Sequence, residues 1–258
     1  MLHSPFRRGF GRTLRRLLSS EPPVLDPLEA YQLWVETYDD VEGNALLFAE
    51  SRAVRPLLES CSLADKVILD AGCGTGRYLQ IIESYRPRML AAFDFSPKML
   101  EKAGPKMNGR ISVHLHVANV ESLPYKPSTF DFILCTLVLG HVQNLSSAIS
   151  QLSAVLKPGG SLVASMFHPF GRLLGWQRTF QIVNKLDNQR KTFAAKYYKH
   201  LFSEYFNAFS SSGLEITRMY EPTLDETLRS FYEKAGRLDL YEKYLGYPLL
   251  LIFELRKR

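Results

Sequence analysis

Cysteine is scarce in this chain and solitary where it occurs. Cys61, Cys73 and Cys135 stand far apart in 258 residues. That points to reduced thiols in an intracellular compartment and away from a zinc centre or a disulfide framework. No apolar run reaches the roughly 20 residues needed to cross a bilayer as a helix, and there is no internal repeat or low-complexity segment. Acidic residues are missing from the first 20 positions, which carry Arg7, Arg8, Arg12, Arg15 and Arg16. The net charge of +6 is therefore mostly that of an N-terminal arm, with about +1 left for the remainder. The broad basic surface that a nucleic-acid partner requires is not supported.

What is present suits one globular domain with additions. A chain of this length with 46% hydrophobic and 22% charged residues can bury a full core without staples. Residues 1–27 read as a basic arm and Pro-rich linker, and residues 28–258 as a single domain. In the arm, Phe6, Phe10, Leu14, Leu17 and Leu18 would share one helical face opposite most of the arginines, although Gly9 and Gly11 weaken that helix. Three readings fit. The arm could be a transit peptide to the mitochondrial matrix, a peripheral anchor on anionic membrane, or a solvated arm on a cytoplasmic protein. Residues 28–38 follow a helical pattern with Tyr31, Trp34, Val35 and Tyr38 as an aromatic stripe, which packing on the main domain explains. A second helix is expected over residues 42–60, with Pro56 bending or breaking it.

The densest information lies in Val67-Ile68-Leu69-Asp70-Ala71-Gly72-Cys73-Gly74-Thr75-Gly76-Arg77, an apolar run that stops at an acid and opens into glycines. It reads as a buried parallel strand, a turn whose backbone can approach a ligand, and a helix over residues 78–85. A dinucleotide fingerprint places its last glycine three residues after the second. Here Gly76 follows Gly74 by two, so the spacing departs from that class. Further strands are expected at residues 89–93, 111–118, 132–136, 161–167, 214–220 and 249–255. Helices are expected from Ser96, where Ser96 caps and Pro97 takes the first position, and over residues 145–156, 201–212 and 225–245. Lys157-Pro158-Gly159-Gly160 should turn the chain between helix and strand. This alternation demands an α/β fold, a mostly parallel sheet with helices on both faces. Its ligands bind beyond the carboxyl ends of the strands.

The blocks DAGCGTGRYL, AFDFSPKML, ANVESLPY, FDFILCTLVLGHV and LKPGGSLVAS, in that order, resemble the class I S-adenosylmethionine-dependent methyltransferase family. The resemblance implies a Rossmann-like sheet of seven strands with an antiparallel last strand, an N-terminal helical extension, S-adenosyl-L-methionine as cofactor, and a methyl acceptor. It assigns to the cofactor Tyr38, Asp70, Gly72, Cys73, Gly74, Gly76, Asp94, Phe95, Asn119, Val120 and Thr136. Asp70 would lie near the methionyl ammonium, and Asp94, eighteen residues after Gly76, would accept bonds from the ribose hydroxyls. Val120 would offer its backbone N–H to the adenine, and Tyr38 of the lid would close over the methionine end. Where the family has aspartate this chain has Asn119, whose carbonyl can accept the same adenine bond with less charge.

The acceptor is read from what departs from those blocks. The Asn/Asp-Pro-Pro-aromatic loop of base methyltransferases is absent after the fourth strand, where the chain reads Cys135-Thr136-Leu137-Val138-Leu139-Gly140-His141. A small-molecule acceptor is therefore expected rather than nucleic acid. If its nucleophile is a hydroxyl or an acidic carbon, a neutral histidine suits the base, and His141 and His168 both fall on the cofactor side, although a lone histidine is more often structural or solvated. His114 and His116 alternate along a strand, which favours packing or an edge position. The family pattern dissolves over residues 170–200, an insertion holding Arg172, Trp176, Arg178, Phe180, Phe193, Tyr197 and Tyr198. It could close as an aromatic lid on a flat, partly anionic substrate or simply pack on the N-terminal helix. The same cofactor blocks would also serve another group transfer or a nonenzymatic assembly or regulatory protein, though their being intact argues against the last.

Overall fold

The structure is a computed structural model describing residues 21–40, 44–107, 109, 113–173, 177–183 and 190–258. The arginine arm, Glu42, residues 111–112 and Trp176 lie outside these.

Asp26 starts the first helix, its Oδ1 accepting from Leu28 N at 3.1 Å with Pro27 in the first turn. This helix, α1 (Pro27–Trp34), is preceded by a two-residue strand, β1 (Val24–Leu25), inside the segment expected as linker. The helix ends at Trp34, so Tyr38 sits in the turns that follow. Helix α2 (Ala45–Ser60) runs through Pro56 without a break. Strand β2 (Val67–Ala71) is buried at every position, as an apolar run inside a parallel sheet should be. Then come α3 (Leu79–Ser84), β3 (Met89–Asp94), α4 (Pro97–Ala103), β4 (Val113–Val117), β5 (Phe130–Thr136), α5 (Leu145–Val155) and β6 (Leu156–Phe167). The remainder comprises α6 (Pro169–Leu173), β7 (Arg178–Val183), β8 (Arg190–Ala195), α7 (Phe202–Ser211), β9 (Leu214–Tyr220), α8 (Arg229–Lys234), α9 (Leu238–Tyr244) and β10 (Leu250–Lys257).

Seven strands form the main sheet in the order β4-β3-β2-β5-β6-β10-β9. The first five are parallel, and β10 runs antiparallel to both β6 and β9. Period-two alternation divides the core. Leu69, Ala71, Phe93 and Ile133 pack with Leu145, Ile149, Leu152 and Phe209 of α5 and α7. Ile68, Leu90, Phe132 and Leu134 pack with Val54, Leu58, Leu79 and Ile82 of α2 and α3. Each of the larger of these side chains contributes about 1.5–3 kcal/mol on burial. Strand order reverses between β2 and β5, which sets the crevice beyond their carboxyl ends. His114 and His116 lie on β4, at the sheet edge.

Two expectations are corrected. The Lys157–Gly160 turn lies within β6 as a bulge: Phe130 pairs with Leu156 and Phe132 with Ser161, so four residues loop out where β5 has one. Gly159 takes φ +73° there. The helix expected over residues 225–245 is broken, because Gly236 at φ +63° closes α8. Gly236 N donates to Glu233 O at 2.9 Å and Arg237 N to Tyr232 O at 2.8 Å, the two bonds of a Schellman stop.

The described residues of the insertion form strands and a short helix. β7 and β8 form an antiparallel hairpin, and β1 adds to it in parallel, Val24 opposite Ala194 and Leu25 opposite Ala195. This small sheet packs on α1: Trp34 stacks on Phe180 with ring centroids 4.9 Å apart, and Ala30, Tyr31, Val35, Met99 and Ala195 complete that cluster.

Candidate active site

The glycine turn hangs from the ends of two strands. Gly72 N and Cys73 N both donate to the Phe93 carbonyl at 2.9 Å, and Gly74 N donates to Asp94 Oδ2 at 2.9 Å, so the loop after β2 is laid across the end of β3. Gly72, Gly74 and Gly76 have φ of +74°, +56° and +82°, a region that glycine alone enters without cost. At Gly72 a Cβ would also lie 2.3 Å from Val138 Cγ2, in the connection after β5. A Cβ at Gly74 would face the Tyr38 ring at 3.8 Å, and the buried Thr75 donates its hydroxyl to Asp39. Tyr38 and Asp39 thus lie on the turn, and Lys106 holds Asp39 from the other side at 2.7 Å.

Two buried acids flank the turn. Asp70, at the end of β2, is 1% exposed, and among the described residues neither carboxylate oxygen has a hydrogen-bond partner. Burial pushes its pKa up to about 7, with Arg77 opposing and Asp94 and Glu50 adding to the rise. Asp94 accepts from Gly74 N through Oδ2 and from Ser96 N through Oδ1, both at 2.9 Å. Burial raises its pKa to about 6 against the pull of those amides. The expected Ser96 side-chain cap is corrected here: among the described residues Ser96 Oγ has no partner, and Asp94 accepts from the Ser96 amide at the head of α4. A carboxylate has about four acceptor positions, so two amides leave room for ligand hydroxyls.

The other expected cofactor residues are close in the fold but differ in engagement. Asn119 Oδ1 accepts from Glu121 N at 2.9 Å, an Asx turn that spends one lone pair of the carbonyl expected for adenine. Val120 is buried beside it. Thr136 ends β5 opposite Ser165, and the half-buried Phe95 meets Tyr31 edge to face at 6.1 Å. Cys73 is buried, and its thiol pKa rises well above the ordinary value.

The two histidines have different surroundings. His141 Nδ1 faces Lys196 O at 2.7 Å and Nε2 faces the Tyr31 hydroxyl at 2.8 Å. A carbonyl only accepts, so Nδ1 carries the proton and Nε2 accepts from Tyr31. The Tyr31 hydroxyl in turn accepts from Arg178 Nε at 3.2 Å. His168 Nε2 meets Glu221 at 2.9 Å while its Nδ1 accepts from Phe170 N at 3.1 Å, which ties it to the start of α6.

Several residues were outside the sequence expectation. Tyr31 reads as one member of a packing stripe and Arg178 as one cation of an insertion, yet they meet at His141. Glu50 is fully buried, pairs with Arg77 at 2.6 Å and accepts from Tyr78 and Ser165 at 2.8 and 2.9 Å. Its signal was present: it lies on the same face of α2 as Leu47, Val54 and Leu57, and an acid there needs partners.

A sequence profile described as a methyltransferase domain matches residues 69–164. Among curated proteins the chain is similar to the uncharacterised methyltransferase YodH of Bacillus subtilis, 26% identical over 222 residues, covering 80% of this chain and 91% of that one. It is also similar to a malonyl-acyl-carrier-protein O-methyltransferase of Buchnera aphidicola, 35% identical over 128 residues. That match covers 48% of this chain and 48% of the relative, and the chain spans about half the length of several of the curated relatives it matches. A solved S-adenosylmethionine-dependent methyltransferase from Mesorhizobium loti shares the fold with a TM-score of 0.60 at 21% identity, covering 81% of this chain and 98% of that one. Profile, relatives and fold agree: residues 69–164 carry a methyltransferase domain, and the chain is similar in sequence and fold to known methyltransferases.

Proposed function

We propose that the protein transfers a methyl group from S-adenosyl-L-methionine to an O, N or C atom of a small-molecule acceptor. The observation that carries the cofactor reading is Asp70, a buried carboxylate without a partner beside a backbone cradle that only glycine can form. Such a group is completed by a ligand cation. Asp94, already aligned by two amides, would hold ribose hydroxyls, while Val120 and Asn119 would border the adenine. When bound, the cofactor supplies an electrophilic methyl on a sulfonium. The rest is positioning and water exclusion: Tyr38 lies on the glycine turn, and Tyr31, Trp34 and Phe180 form an aromatic wall under the hairpin.

Where the acceptor must lose a proton, Tyr31 and His141 form the pair that takes it. Tyr31 receives the acceptor's proton at its hydroxyl oxygen as it passes its own to His141 Nε2, and the Lys196 carbonyl holds the imidazole in the required tautomer. Two observations support a small acceptor: the absent Asn/Asp-Pro-Pro-aromatic loop after β5, and the concentration of basic charge in the arm.

Calorimetry tests the cofactor. The wild type should bind S-adenosylmethionine, and Asp94→Ala should bind it at least about tenfold more weakly, as loss of charge-assisted bonds implies. No binding by the wild type, or equal binding by the variant, would sink the reading. Incubation with labelled cofactor and a metabolite extract tests the acceptor; label found only in protein or RNA would reject a small molecule.

A further inference from the structure

Among the described residues, the partly buried Arg77 and the buried Arg178 are treated differently. Arg77 is saturated: Glu50 pairs with it at 2.6 Å, and it donates to Ser51 Oγ and the Leu47 carbonyl at 2.6 and 3.2 Å. Arg178, the first residue of β7, is 5% exposed, and among the described residues no carboxylate pairs with it. Its Nε donates to Tyr31, its guanidinium carbon lies 5.0 Å from the Trp34 ring and 5.6 Å from the Phe167 ring, and its Nη2 is buried with no hydrogen-bond partner among the described residues. Aromatic faces offset part of the desolvation of a cation. They leave a guanidinium N–H unsatisfied, and a buried, unpaired charge is among the costliest features a fold can keep. The Nε of this side chain is bonded to the same hydroxyl that His141 contacts.

We infer that Arg178 binds an oxyanion carried by the methyl acceptor, so that the substrate class is small molecules bearing a carboxylate or phosphate ester, with an apolar body against Trp34 and Phe167. This rests on the methyltransferase reading and narrows it. Arg178 Nη2 meets the anion, Tyr31 lies between the anion subsite and His141, and the wild-type cation has its counter-charge only when acceptor is bound. A neutral or cationic acceptor would leave Arg178 as it is now.

The test splits a metabolite extract on an anion exchanger and incubates each fraction with labelled S-adenosylmethionine and the full-length protein. Label should enter the retained, anionic fraction. Prior phosphatase treatment distinguishes the sources: persisting label identifies a carboxylate, and lost label identifies a phosphate ester. With that fraction, Arg178→Gln should lower kcat/KM by about 30-fold or more, as truncating one side of a buried charge pair does. Its calorimetric affinity for S-adenosylmethionine should stay within about twofold. Arg178→Lys, which keeps the charge and guards against a folding failure in the glutamine variant, should raise KM with kcat largely retained. Label in the unretained fraction, or wild-type kinetics in Arg178→Gln, would overturn the inference while leaving methyl transfer standing. Absence of cofactor binding by the wild type would instead remove the reading beneath it.

Discussion

Asp70 shows how one residue links fold stability to ligand binding. Its carboxyl is held near a pKa of about 7 against an ordinary 3.8, burial being the main cause. A folded pKa above the unfolded one means that the folded chain binds the extra proton. The stability this proton provides is complete below about pH 4 and is lost as pH rises to about 7. Asp94 acts in the same direction up to about pH 6. A cationic ligand reverses the preference by favouring the ionised form. Cofactor binding near pH 6 should therefore release protons, and affinity should rise between about pH 5 and 8. Calorimetry in buffers of different ionisation enthalpy reads the proton count; a value of zero at pH 6 would separate Asp70 from the cation.

At the scale of elements, the connection after β5 is where the main sheet receives the insertion. Gly140 accommodates the Tyr197 ring, because a Cβ there would fall 1.7 Å from Tyr197 Cζ, and its carbonyl accepts from Tyr198 N at 2.7 Å. The Tyr197 hydroxyl also accepts from Phe167 N at 3.0 Å, so one ring joins the ends of β5 and β6. Gly140→Ala should destabilise the protein by about 1–3 kcal/mol, as overpacking does. It should lower transfer more than cofactor affinity, because His141 follows directly. Urea unfolding and kinetics of Gly140→Ala, alone and with Tyr197→Ala, check this. The second substitution should recover part of the stability, and strict additivity would show that the two residues do not meet.

For the whole molecule, the division is between a seven-stranded sheet that carries the glycine turn and a three-stranded sheet beside it. The smaller one depends on the N-terminal segment, since Ala194 N donates to Pro23 O and Lys196 N to Leu25 O, each at 2.9 Å. Removing residues 1–20 should leave cofactor affinity unchanged. Removing residues 1–25 should also take away β1 and speed amide exchange over residues 190–196, which mass spectrometry can follow. Loss of cofactor binding on the shorter deletion would place the arm in the site.

Much of this was legible in the chain, for reasons that act over short distances. Val67 to Leu69 make a buried strand because they are apolar without interruption. The glycines after Asp70 make a turn because each must take positive φ, and Asp94 ends the next strand at the same crevice. Those features sit in ordered blocks, so a family resemblance could be read from them. Helix ends were less legible: Gly236 stops α8 in the middle of a pattern that otherwise continues, and the Ser96 hydroxyl makes no cap while Asp94 accepts from Ser96 N.

The sequence by itself thus determined the strand, glycine turn and helix and the parallel sheet, since propensity, periodicity and backbone freedom are local properties, while the cofactor expectation came from the family resemblance of the same blocks. Only the tertiary structure decided that Tyr31 meets His141 across 110 positions and Arg178 across 147, that Glu50 partners Arg77, and that Asp70 and Arg178 remain open. Whether a buried charge is paired depends on which distant side chains packing brings to it, and no local pattern records that.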